Sequence, residues 1–329
     1  MNNDFVGLWD ATLTNTQYLL ISFFLSAAAL AIFSGFLRAW LGRTEVGVRY
    51  RSSPISRLTA TAIMFMTYVG AVAQTRLGYD LTGGLYVPND SAMDTFSLRA
   101  LAWSVALPLV SAAFIAVTAL VGVRARWAIT LASFFGFCTV LCAYIGGFVL
   151  DRSDRVGIIV AGLIAVVFLL ALNAVLFIAV RQSTKALTLA ASKLLRQAHA
   201  TFAASMAIIF VAYFLQVCTS GGTWATVVQI LSSLADVGLL VVVGELIHRV
   251  AKLRTAEDVR AGIDVHPEAI WISSVKQSDA GRPAEVYLDA GATVHDRRPK
   301  PPTSSAAPLD HDDVPEVTSD EFLAEETSR

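Results

Sequence analysis

The stretch ILSSLADVGLLVVVGELI, from Ile230 to Ile247, is apolar enough to cross a membrane, yet Asp236 sits near its middle. An ionised carboxylate in hydrocarbon costs several kcal/mol unless it faces the protein interior and finds a partner or a proton. Ser232 lies one helical turn earlier and Gln229 another turn before that, so all three share one face. Such a stripe must turn into a bundle. There Asp236 is either a proton- or cation-binding group in a polar cavity, or a structural acid held by a base, a hydroxyl or a backbone group. The candidate base is Arg99, near one end of another apolar run, SLRALAWSVALPLVSAAF, with Trp103 one turn on. It either snorkels outward or serves Asp236 through a water, the two being expected a turn or two apart in depth.

Other chemistry is sparse. HExxH, GxSxG, phosphate-loop and intramembrane histidine-cluster patterns are absent from the sequence, so an enzyme is not expected. Cys138, Cys142 and Cys218 fall in apolar runs without metal-ligand spacing. His311, Asp312 and Asp313 lie in a polar tail that cannot preorganise a metal site. Glu245 and Arg249 have ion-pair spacing at a helix end. His248 beside them and His199 at a helix start read as interfacial.

These residues need a membrane bundle to position them. The chain has 329 residues, 55% hydrophobic and 16% charged, with a net charge of −1. That is too apolar for a soluble domain and gives no basic field for nucleic acid. Seven runs, approximately 17–41, 57–76, 97–122, 127–150, 156–181, 199–219 and 224–248, reach the roughly 20 residues a bilayer core demands. Arg43, Arg49, Arg51, Arg57, Arg124, Arg126, Arg181, Lys185, Lys193, Arg196, Arg249, Lys252 and Arg254 fall on one side; Arg76, Arg152 and Arg155 fall on the other. The positive-inside rule puts residues 1–16 outside, the bundle over 17–254 in the cell membrane, and the 255–329 tail in the cytoplasm. The outer loop RLGYDLTGGLYVPNDSAMD predicts a small β-hairpin lid. The tail is acidic and rich in Pro, Ser and Thr, which predicts disorder. Ile270-Trp271-Ile272 and Val286-Tyr287-Leu288 are brief strands or docking hooks within it, suited to a cytoplasmic protein partner.

Arg99, Trp103 and Pro108 resemble the third helix of the microbial (type I) rhodopsins. ISFFLSAAAL and the stretch around Phe65 and Tyr68 are similar to the proteorhodopsin group, and LGYDLT to the start of the bacteriorhodopsin hairpin. AYF at Tyr213 looks like that family's aromatic wall, and LADVG matches its retinal-binding stretch in register. The resemblance covers roughly 17–250 and implies an all-α seven-helix bundle, with Trp103, Tyr68, Phe210 and Tyr213 as candidate pocket residues.

The departures bear most on function. Asp236 stands where the family carries its Schiff-base lysine, and Ser232 where it carries a counterion aspartate. Ala102 replaces the main counterion, Ala106 a hydroxyl residue, Ala113 a common proton donor, and Val217 a tryptophan. No lysine lies inside any of the seven runs. Without an amine no Schiff base forms, so no covalent cofactor is expected; retinal or another apolar ligand would be held noncovalently. Three roles remain: a non-photochemical sensor or scaffold signalling through the tail, a proton or ion transporter using Asp236 and Arg99, or a noncovalent ligand carrier. Homo-oligomers are compatible with each.

Overall fold

The computed structural model describes residues 11–92, 95–150, 155–261 and 263, with the short segments 287–288 and 292–293. Seven helical spans are long and apolar enough to cross a bilayer: Asn15–Thr44, Val48–Leu77, Thr95–Ala116, Gly122–Gly147, Val156–Ser183, Leu189–Gln216 and Gly222–Arg260. Their regular helices are α1 (Asn15–Leu41), α2 (Ser52–Leu77), α3 (Thr95–Ala116), α4 (Gly122–Tyr144), α5 (Arg155–Ser183), α6 (Leu189–Cys218), α7 (Gly222–Val237) and α8 (Val243–Arg260). A π-helical turn, Gly238–Val242, joins α7 to α8 in one span, and another, Ile145–Val149, ends the fourth. A helix satisfies its backbone internally, the condition for lying in hydrocarbon. The outward residues, among them Phe23, Leu30, Val167 and Leu170, are apolar and exposed, as a lipid-facing surface requires. Met64, Tyr68, Phe114, Leu172, Leu176 and Phe202 fill the interior. The chain is a multi-pass membrane protein.

Local signals fix the ends. Thr14 and Gln17 form a capping box on α1: Gln17 N donates to Thr14 Oγ1 at 3.4 Å and Thr14 N to Gln17 Oε1 at 2.9 Å. Gly83 and Gly84, with φ of 61° and 83°, make the tight turn between strands β2 (Tyr79–Thr82) and β3 (Leu85–Pro88). The short strand β1 (Leu13–Thr14) joins β3 antiparallel, pairing Leu13 with Tyr86. Tyr18 of α1 stacks on Tyr86 at 3.8 Å between centroids, fastening the predicted hairpin to the bundle.

Several ends differ from expectation. The second span begins at Val48, which places Arg57 inside α2 rather than in a loop. The sixth begins at Leu189, so Lys193, Arg196 and His199 are helical. The seventh continues to Arg260, past the boundary expected at 254. Hydropathy marks only the apolar middle of a helix, whereas these turns extend it with polar residues that pack among themselves. Thr255 accepts from Gly47 N at 2.9 Å, Tyr50 donates to Asp258 at 2.7 Å, and Thr188 donates to Glu257 at 2.6 Å. The third span stops at Ala116, earlier than expected, where buried Arg254 donates to the carbonyls of Val117 (3.1 Å) and Thr118. Of the tail hooks, Tyr287–Leu288 pairs antiparallel with Ala292–Thr293; Ile270-Trp271-Ile272 lies outside the described residues.

Candidate functional site

Three helices converge on Asp236, which is 0% exposed in the last turn of α7. Tyr68 on α2 donates to its Oδ2 at 2.8 Å. Arg99 on α3 donates to the same oxygen from Nε at 3.1 Å and Nη2 at 2.6 Å. Trp103, one turn along α3, donates Nε1 to Oδ1 at 3.2 Å. The carboxylate therefore has both oxygens engaged, by a guanidinium and two neutral donors. Such pairing is what makes a buried charge tolerable. The guanidinium also lies 5.7 Å from the ring centroids of Tyr68 and Phe96.

The expected water-bridged pair is thus a direct one. The arginine side chain spans about a helical turn, roughly 5.4 Å, which closes the depth difference between the two backbone positions. Tyr68, expected in the pocket wall, instead holds Asp236. Gln229 shares the buried face of α7 but donates to Ser233 Oγ at 3.0 Å and lines a smaller space of about 40 Å³ beneath the hairpin. Ser232 lines a different cavity, between α3, α4, α6 and α7. Ala102, Ala106 and Ala113 are buried where the resemblance implies acids and hydroxyls. Val217 has no described side chain.

Beside the Asp236 network lies a cavity of about 110 Å³ between α3, α4, α6 and α7, lined by Phe96, Trp103, Leu107, Met206, Phe210 and Tyr213. Its polar edge is Arg99, Ser232 and Gln216. Trp103, Phe210 and Tyr213 meet there as expected. Phe96, Leu107 and Met206 were not anticipated, although Phe96 precedes Arg99 by one turn, a usable signal. Tyr213 is seated by glycines: a Cβ on Gly162 would lie 2.6 Å from its Cε1, and one on Gly146 2.5 Å from its hydroxyl. That hydroxyl donates to Ile158 O at 3.2 Å. An apolar cavity of about 150 Å³ holds a benzene-sized ligand, so this one suits a single ring. An extended polyene needs lining side chains to move.

Of the two histidines, His248 is buried more deeply than an interfacial reading allows, while His199 is only partly buried. His199 reaches Asn173 O at 3.4 Å and lies near the rings of Phe114 and Phe177. His248 is buried, with Nε2 3.3 Å from Glu45 Oε2. Lys252 Nζ joins the same carboxylate oxygen at 3.1 Å. The hydrogen bond from His248 and the Lys252 charge hold Glu45 at about 2, against partial burial, which raises it. Glu245 pairs with Arg249 at 3.0 Å, as its spacing predicts, and also accepts from Arg38 at 2.7 Å. Among the described residues no group of three or more His, Cys, Asp or Glu is arranged to hold a metal ion.

No protein-family model and no curated protein matches the sequence. Solved structures do match in shape. Thermophilic rhodopsin and xanthorhodopsin, the latter described as a light-driven ion pump with dual chromophore, each superpose with a TM-score of 0.70 at 20% identity, covering 75% of this chain and 98% of theirs. A rhodopsin from Exiguobacterium sibiricum gives 0.60 at 16% identity, covering 73% and 99%. The fold is that of the microbial rhodopsins.

Proposed function

We propose that this rhodopsin-fold membrane protein works without a Schiff base, as a non-enzymatic sensor that holds an apolar ligand noncovalently and signals through its C-terminal tail. The observation carrying this reading is the bonding of Asp236. The residue at the expected lysine position is a carboxylate engaged by Arg99, Tyr68 and Trp103, so it offers no nucleophile, while an aromatic cavity opens beside it. A closed ion pair does not relay protons unless it opens, and Ala102, Ala106 and Ala113 supply no further acid or hydroxyl on α3. The basic loops support a cytoplasmic tail, by the positive-inside rule. There its acidic composition repels anionic lipid and leaves it free for a protein partner.

The test is mass spectrometry of small molecules and proteins that co-purify with the full chain in mild detergent. A stoichiometric apolar compound, lost in Trp103→Ala or Phe210→Ala, is the expected result. A retinyl adduct on any membrane-spanning residue would overturn the reading.

A second reading, ion transport, draws support from xanthorhodopsin, described as an ion pump, and from the buried Arg99–Asp236 pair. It predicts a pH-driven proton flux in liposomes that Asp236→Asn abolishes; the sensor reading predicts none.

A further inference from the structure

Arg57 is the anomaly of the other end of the bundle. It lies one and a half turns into α2, is 4% exposed, and its Nε and Nη1 have no hydrogen-bond partner among the described residues. Ser53, one turn nearer the helix start on the same buried face, has an unpartnered hydroxyl as well. Across the seam α8 presents Gly244, whose missing side chain makes room for the guanidinium: a Cβ there would lie 3.0 Å from Arg57 Nε and Nη2. One turn further along α8, His248 has its Nδ1 buried and unpartnered.

A guanidinium has five donors, no acceptor, and stays charged in proteins. Burying it without a counter-charge costs several kcal/mol. The two nearby carboxylates are already used. Glu245 takes Arg38 and Arg249, while Glu45 takes Lys252 and His248. Arg38, Arg57, Arg249 and Lys252 thus face two carboxylates, and of these four Arg57 is the one without a direct ion pair among the described residues.

We propose that Arg57 and Ser53 bind a small monovalent inorganic anion, of the chloride class, inside the seam between α2 and α8. The guanidinium supplies the charge and an unpartnered N–H donor, and Ser53, one turn away on the same buried face, supplies an unpartnered hydroxyl. With the guanidinium head almost wholly enclosed, a phospholipid headgroup or a peptide carboxylate has no approach to it, which leaves a small inorganic ion. The site is separate from the Asp236 network and does not depend on the ligand reading.

The experiment is thermal unfolding of the purified full chain, with sodium chloride or bromide replacing sodium gluconate at constant ionic strength. Binding to the native state alone raises the midpoint saturably with halide, and screening is held fixed. The expected result is such a rise in the wild type, its loss in Arg57→Gln, and a halide affinity weakened about three- to tenfold in Ser53→Ala, the range of one hydrogen bond. A bromide-soaked crystal should show an anomalous peak beside Arg57. A midpoint indifferent to halide, an unchanged response in Arg57→Gln, or water alone at that position would overturn the site. Should Arg57→Gln fail to fold, Ser53→Ala and the bromide peak still decide it.

Discussion

Removing the charge partner of Asp236 tests the central network most directly. In Arg99→Ala the carboxylate keeps only Tyr68 and Trp103 as donors and loses both guanidinium bonds, at 2.6 and 3.1 Å. Breaking a buried pair from one side typically costs about 3–5 kcal/mol, because the surviving charge is stranded. Asp236→Asn takes the carboxylate charge away from Arg99 instead and should also destabilise the bundle, by up to about the same amount. If the two residues acted independently, the double variant would lose up to about 6–10 kcal/mol, the sum of those losses. The double variant removes both charges of the pair, and Tyr68 or Trp103 can still donate to the asparagine carbonyl. It should therefore lose little more than one single variant, a coupling of about 3 kcal/mol. Reversible unfolding by sodium dodecyl sulfate in mixed micelles, across all four proteins, measures this. A double variant within about 0.5 kcal/mol of the summed singles would refute the pairing.

Asp236→Lys supplies the missing amine, and with all-trans retinal should form an imine reducible by borohydride. With alanine at 102 and serine at 232 its protonated form lacks a carboxylate partner, so a near-ultraviolet band is expected, moving into the visible when Ala102→Asp is added. Gly162→Ala places a Cβ 2.6 Å from the Tyr213 ring and should cost about 1–3 kcal/mol by overpacking, while releasing any co-purified cavity ligand, read by mass spectrometry. For Glu45, held at about 2 in the folded chain against its usual 4.5, the stabilisation is present above pH 4.5 and lost as pH falls towards 2. Comparing the acid unfolding of wild type and Glu45→Gln should show their difference shrinking across that window; a constant difference would remove the pairing with His248. Truncation after residue 263 should leave the melting temperature unchanged, whereas truncation after 256 removes the Thr188–Glu257 and Tyr50–Asp258 bonds and should lower it.

The sequence by itself determined the seven spans, because length and hydropathy suffice where the solvent is hydrocarbon. It also determined the hairpin, from Gly-Gly between short apolar stretches, and the inward turn of Asp236, since no lone acid of that kind faces lipid. The helix ends were partly legible: Ser52, Ser53 and Pro54 are a helix-start pattern that places Arg57 inside α2, and Thr188 is an N-cap that starts α6 before His199. Hydropathy alone overlooked them because polar turns that pack on one another have no apolar signature. Only the tertiary structure decided who meets whom. That Arg99 touches Asp236 directly, that Tyr68 belongs to the acid and not to the cavity, and that Gln229 serves a different space depend on how far each side chain extends and how α2, α3 and α7 are set in depth. Arg57 and His248 make the same point at the other end of the bundle. A basic residue near a helix end reads as solvated in one dimension; only the packing of α8 against α2 buries Arg57, and only its packing against Gly42 and Glu45 buries His248.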